Sequence, residues 1–324
     1  MNHWLKRLLV LLWLGAVAAG SGAAPAFPDH AVRIVVPYPP GGFNDTLARV
    51  SGDKLSKLWN QPVVVDNRPG GNTTVGNNFV AKAAPDGYTI LITPLPFSAL
   101  PGLYGAQLGY DALNDFAPLI WAGSTHNALV VRNDLPVHNV GELLDYAKKN
   151  PGKLNYGSTG SGSSNHLSME LFMRMTGTTM THIPYKGSAP AVVGMLGGEI
   201  DVLFDNVPNV LTQIKAGKLK AIAVSGTQRS GLLPNVPTVA ESGVPGYEVT
   251  VWFGMQLPAG TPKPIVAQLN HDLVRVLRDP EVVRRFSEQG VEVVASTPDE
   301  FARLVRSEVG KWTQLIREAA IRIQ

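Results

Sequence analysis

The sequence predicts an α/β protein whose mostly parallel sheets are covered by helices. Three observations carry this. Short β-branched runs alternate with amphipathic stretches almost throughout the chain, as strands joined by helical crossovers do. Several helical stretches open with proline in the first turn, where a missing N–H costs least. Glycine-rich loops stand between a strand and a helix in each half of the chain, which suggests two lobes presenting equivalent loops to one ligand.

Taken in order, Val32–Val36 is a β-branched run that reads as a buried strand, and Leu47, Val50, Leu55 and Leu58 give the next stretch, Asp45–Trp59, a helical period. Further strands are expected at Val63–Asp66, Thr89–Ile92, Leu129–Val131, Leu154–Tyr156, Met180–Tyr185, Asp201–Phe204, Leu219–Val224, Val249–Leu257 and Val291–Val294. Helices are expected near Val75–Ala83, Val140–Lys149, Ser164–Met175, Pro190–Leu196 and Pro208–Ala216, then Pro264–Arg278, Pro280–Gln289 and Pro298–Ala320. The last of these gathers Phe301, Leu304, Trp312, Leu315 and Ile316 on one side, the mark of a core-facing helix.

Residues 1–26 read as a secretory signal peptide. Lys6 and Arg7 precede an apolar run from Leu8 to Ala19, then small residues, with cleavage expected after Ala23 or Ala26. The chain carries 28 basic and 25 acidic residues. Removing the leader takes Lys6 and Arg7 away, so the mature balance is close to neutral and gives no reason to expect nucleic acid. There is no cysteine, hence no disulfide and no lipid-bearing thiol, and no later segment is apolar enough to span a bilayer. A soluble exported protein is the expectation.

The stretch VVPYPPGGFNDTLAR (35–49) stiffens at Pro39-Pro40 and loosens at Gly41-Gly42 just before a helix, with Asn44 or Asp45 available to cap it. A glycine pair there lets a ligand approach free amides at the positive end of a helix dipole. GSTGSGSSNHL (157–167) repeats that logic. Gly160 and Gly162 bare the backbone while Ser158, Thr159, Ser161, Ser163 and Ser164 supply hydroxyls, and His166 is a hydrogen-bonding or ligand-contact candidate. RPGGNTTVG (68–76), with Thr73, and PYKGSAPA (184–191), with Tyr185, are further strand-to-helix loops. Loops at the carboxyl ends of parallel strands converge on one cleft.

Rival chemistries find little support. No serine sits in a G-x-S-x-G elbow, although Ser161 or Ser163 with His166 leaves a secreted serine hydrolase as the alternative. The Gly157-x-x-Gly160-x-Gly162 spacing lacks the acidic residue that grips a ribose. His30, His126, His138, His166, His182 and His271 stand apart in sequence with no cysteine nearby, so no metal site is expected. Glu199, Asp201 and Asp205 could form an acid pair, but flanking an apolar strand they suit strand-end capping better.

Together, VPYPPGGFND, VVVDNRPGG, AAPDGYTIL, the 115–118 segment DFAP, GSTGSGSSNHL, IPYKGSAPAV, GGEIDVLFDNVP, KAGKLKAIAVSG, LPNVPTVAESGVPGYE and WFGMQLPAGTPKPIV resemble the substrate-binding proteins of tripartite tricarboxylate transporters, the Bordetella uptake gene family. The resemblance covers nearly all of the mature chain. It implies a two-lobed periplasmic binding protein of the type II kind, with the first lobe formed by residues 27–125 and 227–324 and the second by 126–226. The two chain crossovers are expected near 124–129 and 225–228. It implies a monomer without cofactor that traps a small carboxylate between its lobes and delivers it to membrane permease subunits. Carried over by motif, Gly41, Gly42 and Asn44 belong to one wall, with Ser158, Thr159, Gly160, Ser163 and Ser164 facing them and Tyr185 and Asp205 nearby. Two stretches depart from the family pattern: Arg68–Gly76, and Pro94-Leu95-Pro96-Phe97-Ser98, where Pro96 and Phe97 suggest room for a more apolar ligand tail. Lys186 is expected to point outward as a solvated side chain. A stand-alone sensory receptor fits the same residues.

Overall fold

The computed structural model describes residues 27–322, so the expected signal peptide lies outside the described residues. The chain follows the order β1 (Val32–Val36), α1 (Phe43–Trp59), β2 (Val63–Asn67), α2 (Thr74–Ala81), β3 (Thr89–Pro94), α3 (Pro96–Tyr104), β4 (Phe116–Arg132) and α4 (Val140–Lys149). It continues with β5 (Asn155–Ser158), α5 (Ser164–Thr176), β6 (Thr181–Pro184), α6 (Ser188–Leu196), β7 (Val202–Asn206), α7 (Val207–Lys215) and β8 (Leu219–Val224). β9 (Thr250–Pro258), α8 (Lys263–Leu277), α9 (Pro280–Glu288), β10 (Glu292–Val293) and α10 (Pro298–Glu318) complete it.

The strands run in the order β2-β1-β3-β9-β4-β7-β5-β6, with β8 and β10 also paired to β4. The outer strands are parallel: β2, β1 and β3 at one end, β7, β5 and β6 at the other. The central strands are antiparallel, so each lobe is a mixed sheet flanked by helices. β4 belongs to both lobes. It pairs with β9 from Phe116 to His126, then with β7 from Asn127 onward. Register shifts near Pro118, Trp121 and Leu129 let this single 17-residue strand bend from one sheet into the other.

Three differences from the sequence reading have physical causes. Only Leu129–Val131 was legible in β4, because Pro118, Gly123 and the polar run Ser124–Asn127 interrupt its apolar pattern. α3 is not among the expected helices, yet Pro96 stands at its first turn where the ring fits, and Pro101 is carried inside the helix. The third concerns the return crossing. Residues 227–249, expected in the first lobe, fold onto the second: Val239 N donates to Val224 O (2.9 Å) and Tyr247 Oη to Ser168 O (2.9 Å). The chain re-enters the first sheet at Val249–Thr250, where Ser225 Oγ donates to Val249 O (2.7 Å) and accepts from Asn127 N (3.0 Å).

Burial follows the layers. One core fills the first sheet's face beneath α1, α8 and α9, with Ile34, Leu47, Leu273 and Phe286 at its centre. A second, under α6 and α7, covers one face of the other sheet. A third runs through both lobes beneath α10, joining Val35, Leu91 and Trp252 to Tyr156, Phe172 and Phe204. Inside it the Glu308 carboxylate accepts from both Trp312 Nε1 (2.7 Å) and Trp252 Nε1 (3.3 Å).

Candidate functional site

Between the two sheets lies a cleft of about 640 Å³, walled by the turns that start α1, α3, α5, α6 and α7. The first lobe gives it Tyr38, Pro39, Asn44, Asn72, Pro94 and Pro96, with Val251 and Phe253 from β9. The second gives Thr159, Gly160, Ser161, Ser163, Ser164 and Asn165, followed by Lys186, Gly187, Ser188, Asp205, Asn206 and Asn209. A smaller cavity of about 420 Å³ adjoins it, sharing Asn206, Asn209 and Phe253 and bounded by Gly41 and Gly42.

The first glycine loop is set by Asp45. α1 starts at Phe43, earlier than the sequence suggested, so its N-cap is Gly42, which offers no capping side chain. Asp45 instead accepts from Gly41 N (3.2 Å), Arg49 Nε (2.9 Å) and Asn67 Nδ2 (2.9 Å). The Arg49 bond leads in holding this carboxyl below its usual range. Gly41 has φ +102°, a conformation glycine tolerates. Among the described residues the Gly42, Phe43 and Asn44 amides have no partner in the chain. Asn44 Oδ1 is buried and equally unpaired.

The second loop is set from beneath. Ser163 caps α5 by accepting from His166 N (3.3 Å), and Gly160 turns the chain with φ +119°. Gly160 N donates to Ser158 Oγ (3.1 Å), which meets His182 Nε2 at 2.7 Å. Gly162 N donates to His166 Nδ1 (3.1 Å). Among the described residues this leaves the Ser161, Ser164 and Asn165 amides without a partner in the chain.

Charge is scarce on these walls. Asp205 and Lys186 are the charged residues lining the larger cleft. Asp205 is 1% exposed and accepts from Asn206 N (2.7 Å), Asn165 Nδ2 (3.0 Å), Asn209 Nδ2 (3.0 Å) and the Ser188 hydroxyl. Burial raises its pKa, against the pull of those donors. α1, α6 and α7 all open toward the site without a side-chain cap, so their positive ends face it unquenched.

Of the residues singled out from sequence, Asn44, Thr159, Gly160, Ser163, Ser164 and Asp205 line the cleft, and Gly41 and Gly42 line its smaller neighbour. Four stand off. Thr73 is buried behind Asn72, accepting from Asn77 Nδ2 (3.2 Å). Ser158 is fully buried under the loop, as is His166 at 4% exposure. Tyr185 turns onto α6, donating to Glu199 Oε2 (2.8 Å). Phe97 is also absent from the wall, because it is buried against Tyr110 and Phe116 in the core. Lys186 is exposed as expected, but at the cleft's edge. Asp201 and Glu199 are engaged elsewhere, with Arg132 and Tyr185, and form no acid pair with Asp205.

Sequence reasoning missed Tyr38, Asn72, Asn165, Ser188, Asn206 and Asn209 as wall residues. All but Asn209, which follows GGEIDVLFDNVP directly, lie in quoted motifs, so their strand-to-helix position was the usable signal. Val251 and Phe253 gave none, being ordinary apolar residues of a strand.

The Tripartite tricarboxylate transporter family receptor model matches residues 47–321. Protein BugT of Bordetella pertussis is 35% identical over 327 residues, spanning 99% of this chain and 99% of that protein. Among solved structures, the periplasmic binding protein BugD is 36% identical with a TM-score of 0.78, covering 92% of this chain and 100% of its own. An R. palustris protein with adipate is 37% identical with a TM-score of 0.80, covering 91% and 99%. The chain belongs to the tripartite tricarboxylate transporter receptor family.

Proposed function

From that membership, we propose that the chain is a periplasmic receptor that captures a small carboxylate between its lobes and delivers it to tripartite-transporter permease subunits. The observation that carries this reading is the meeting, in one cleft, of unpartnered helix-start amides from both lobes, with little fixed charge around them. Such amides satisfy a carboxylate directly, and the helix ends favour its charge. Gly41, Gly42 and Asn44 approach the ligand from the first lobe, and Thr159, Gly160, Ser163 and Ser164 from the second. Asp205 orders Asn165, Ser188 and Asn209 around it, and Thr73, Ser158 and Tyr185 support the walls from behind. The lobes are residues 27–126 with 250–322, and 127–249. The protein is exported by its signal peptide and works as a monomer.

No covalent chemistry is part of this reading. A hydrolase would need His166 to serve a serine, whereas its Nδ1 accepts a backbone N–H and its Nε2 lies 3.6 Å from Glu170 Oε1. The test is a thermal-shift screen followed by calorimetry with straight-chain dicarboxylates of about four to six carbons, adipate included, beside a turnover assay on generic esters. Stabilisation by an acid with no ester turnover is expected. Ester hydrolysis abolished by Ser163→Ala, with no acid binding, would overturn the proposal.

A further inference from the structure

Under the second glycine loop, two histidines sixteen residues apart in sequence are stacked, His166 from α5 on His182 from β6, with ring centroids 4.3 Å apart. Each is bonded to the loop above. His166 Nδ1 accepts from Gly162 N at 3.1 Å, and His182 Nε2 lies 2.7 Å from Ser158 Oγ, the acceptor of Gly160 N. A backbone amide only donates, so the first bond requires an unprotonated Nδ1 and places the proton of a neutral His166 ring on Nε2. The titratable groups around the pair are Glu170 on the same helix, whose Oε1 lies 3.6 Å from His166 Nε2, and Tyr156 of β5, which donates to Glu170. Burial pushes His166 down to about 3 and His182 to about 4, so both rings are neutral at ordinary pH.

We propose that His166 and His182 are positioning residues of the binding site: His166 by accepting from the Gly162 amide, and His182 by holding the Ser158 hydroxyl that accepts from the Gly160 amide, leave the Ser161, Ser164 and Asn165 amides as the ones offered to the ligand. Along the loop the Gly160 and Gly162 amides are taken by Ser158 Oγ and His166 Nδ1 and the Ser163 amide by Gly160 O (3.2 Å), while among the described residues the Ser161, Ser164 and Asn165 amides have no partner in the chain. A protonated Nδ1 cannot accept, so charging His166 releases Gly162 N and with it the turn that aims its neighbours. The proposal rests on the cleft being the carboxylate site, and its test separates the two ideas.

Nitrogen-15 histidine spectra of the ligand-free protein should show His166 with a bare Nδ1 and a protonated Nε2 from pH 8 down to pH 5. In calorimetry at pH 7.5 with adipate as probe, or whichever acid stabilises best in the screen, His166→Leu should bind at least 10-fold more weakly. His166→Asn, whose amide oxygen can accept from Gly162 N, should stay within about 3-fold of the parent chain. A proton on Nδ1, ordinary titration near pH 6.5, or a leucine variant that binds as well as the asparagine variant would overturn the positioning role. If the unmodified protein binds no acid, the carboxylate reading fails instead, and the tautomer spectra alone decide whether the histidines hold the loop.

Discussion

Gly42→Val isolates the amide cradle from the stability of the fold. Gly42 has φ −85° and ψ 174°, extended backbone that a β-branched residue adopts readily. A Cβ built there meets nothing within 4 Å. The substitution removes chain entropy from the unfolded state, worth about 0.4–1 kcal/mol. Against this, valine is a poorer N-cap than glycine, at a cost of roughly 0.5–1 kcal/mol. The two nearly cancel, so the thermal midpoint should move by no more than about 4 °C. Binding should respond differently. The branched side chain occupies the space before the Gly42, Phe43 and Asn44 amides, and blocking two charge-assisted bonds at roughly 1.5–3 kcal/mol each removes at least 100-fold in affinity. Lys186→Ala is the control. An exposed ammonium contributes about 1 kcal/mol or less, under roughly 5-fold. Calorimetry with adipate, or with the best acid from the screen, and thermal unfolding of both variants provide the comparison. If the lysine variant loses binding while the valine variant keeps it, the amide cradle is wrong. A Gly42→Val midpoint falling by 10 °C would refute the packing argument instead.

Other expectations follow from buried groups and from the two-lobed shape. His166 is held neutral down to about 3, while an unfolded chain protonates near 6.5. Its folded pKa is depressed, so stability falls as pH drops through that window, by about 4–5 kcal/mol at about 1.36 kcal/mol per pH unit. His166→Asn should therefore lose less thermal stability than the parent between pH 7 and pH 4, and an unchanged acid limb would count against it. Glu308→Ala strips the shared acceptor from Trp252 and Trp312, and two stranded indole N–H groups should cost about 2–4 kcal/mol in urea unfolding. A loss below about 0.5 kcal/mol would show the pair to be satisfied otherwise. A ligand bridging the lobes favours the closed form by its differential affinity, so saturating acid should lower the radius of gyration in small-angle scattering. An unchanged radius would argue against closure.

How much was legible depended on whether a signal was local. The outer strands and most helices could be read because each carries its own period: Val32–Val36 is a β-branched run, and α10 repeats its apolar side over five turns. The glycine loops were legible because strand, glycine and helix start are neighbours in sequence. β4 was obscured, since a strand that changes sheets carries polar residues and bulges at its midpoint. The histidine pair could not be read at all. His166 and His182 meet only because β5, α5 and β6 form one crossover unit, and sixteen residues of spacing matches no motif. Tyr185 misled for a related reason. Its place in a cleft loop was visible, but the room for its ring comes from Gly194 on the following helix, which no local pattern marks.

The two glycine loops solve one problem in the same way. A turn rich in bare amides can direct them anywhere, and loose glycine backbone is entropically costly to order. Each loop here is fixed by internal acceptors that take glycine N–H groups: the Asp45 carboxylate for Gly41, and the Ser158 hydroxyl and His166 ring for Gly160 and Gly162. What remains free is a defined set of amides at the start of α1 and of α5. Under the proposed function, recognition of charge resides in backbone that side-chain change barely alters, at helix ends worth about 0.3–1 kcal/mol apiece beyond the hydrogen bonds themselves. Discrimination among acids must come from the rest of the wall. Pro94, Pro96, Val251 and Phe253 make one side of the cleft apolar, while Asn206 and Asn209 connect it to the smaller cavity. Exchanging those residues should change which carboxylate binds, whereas exchanging Gly42 should change whether any binds.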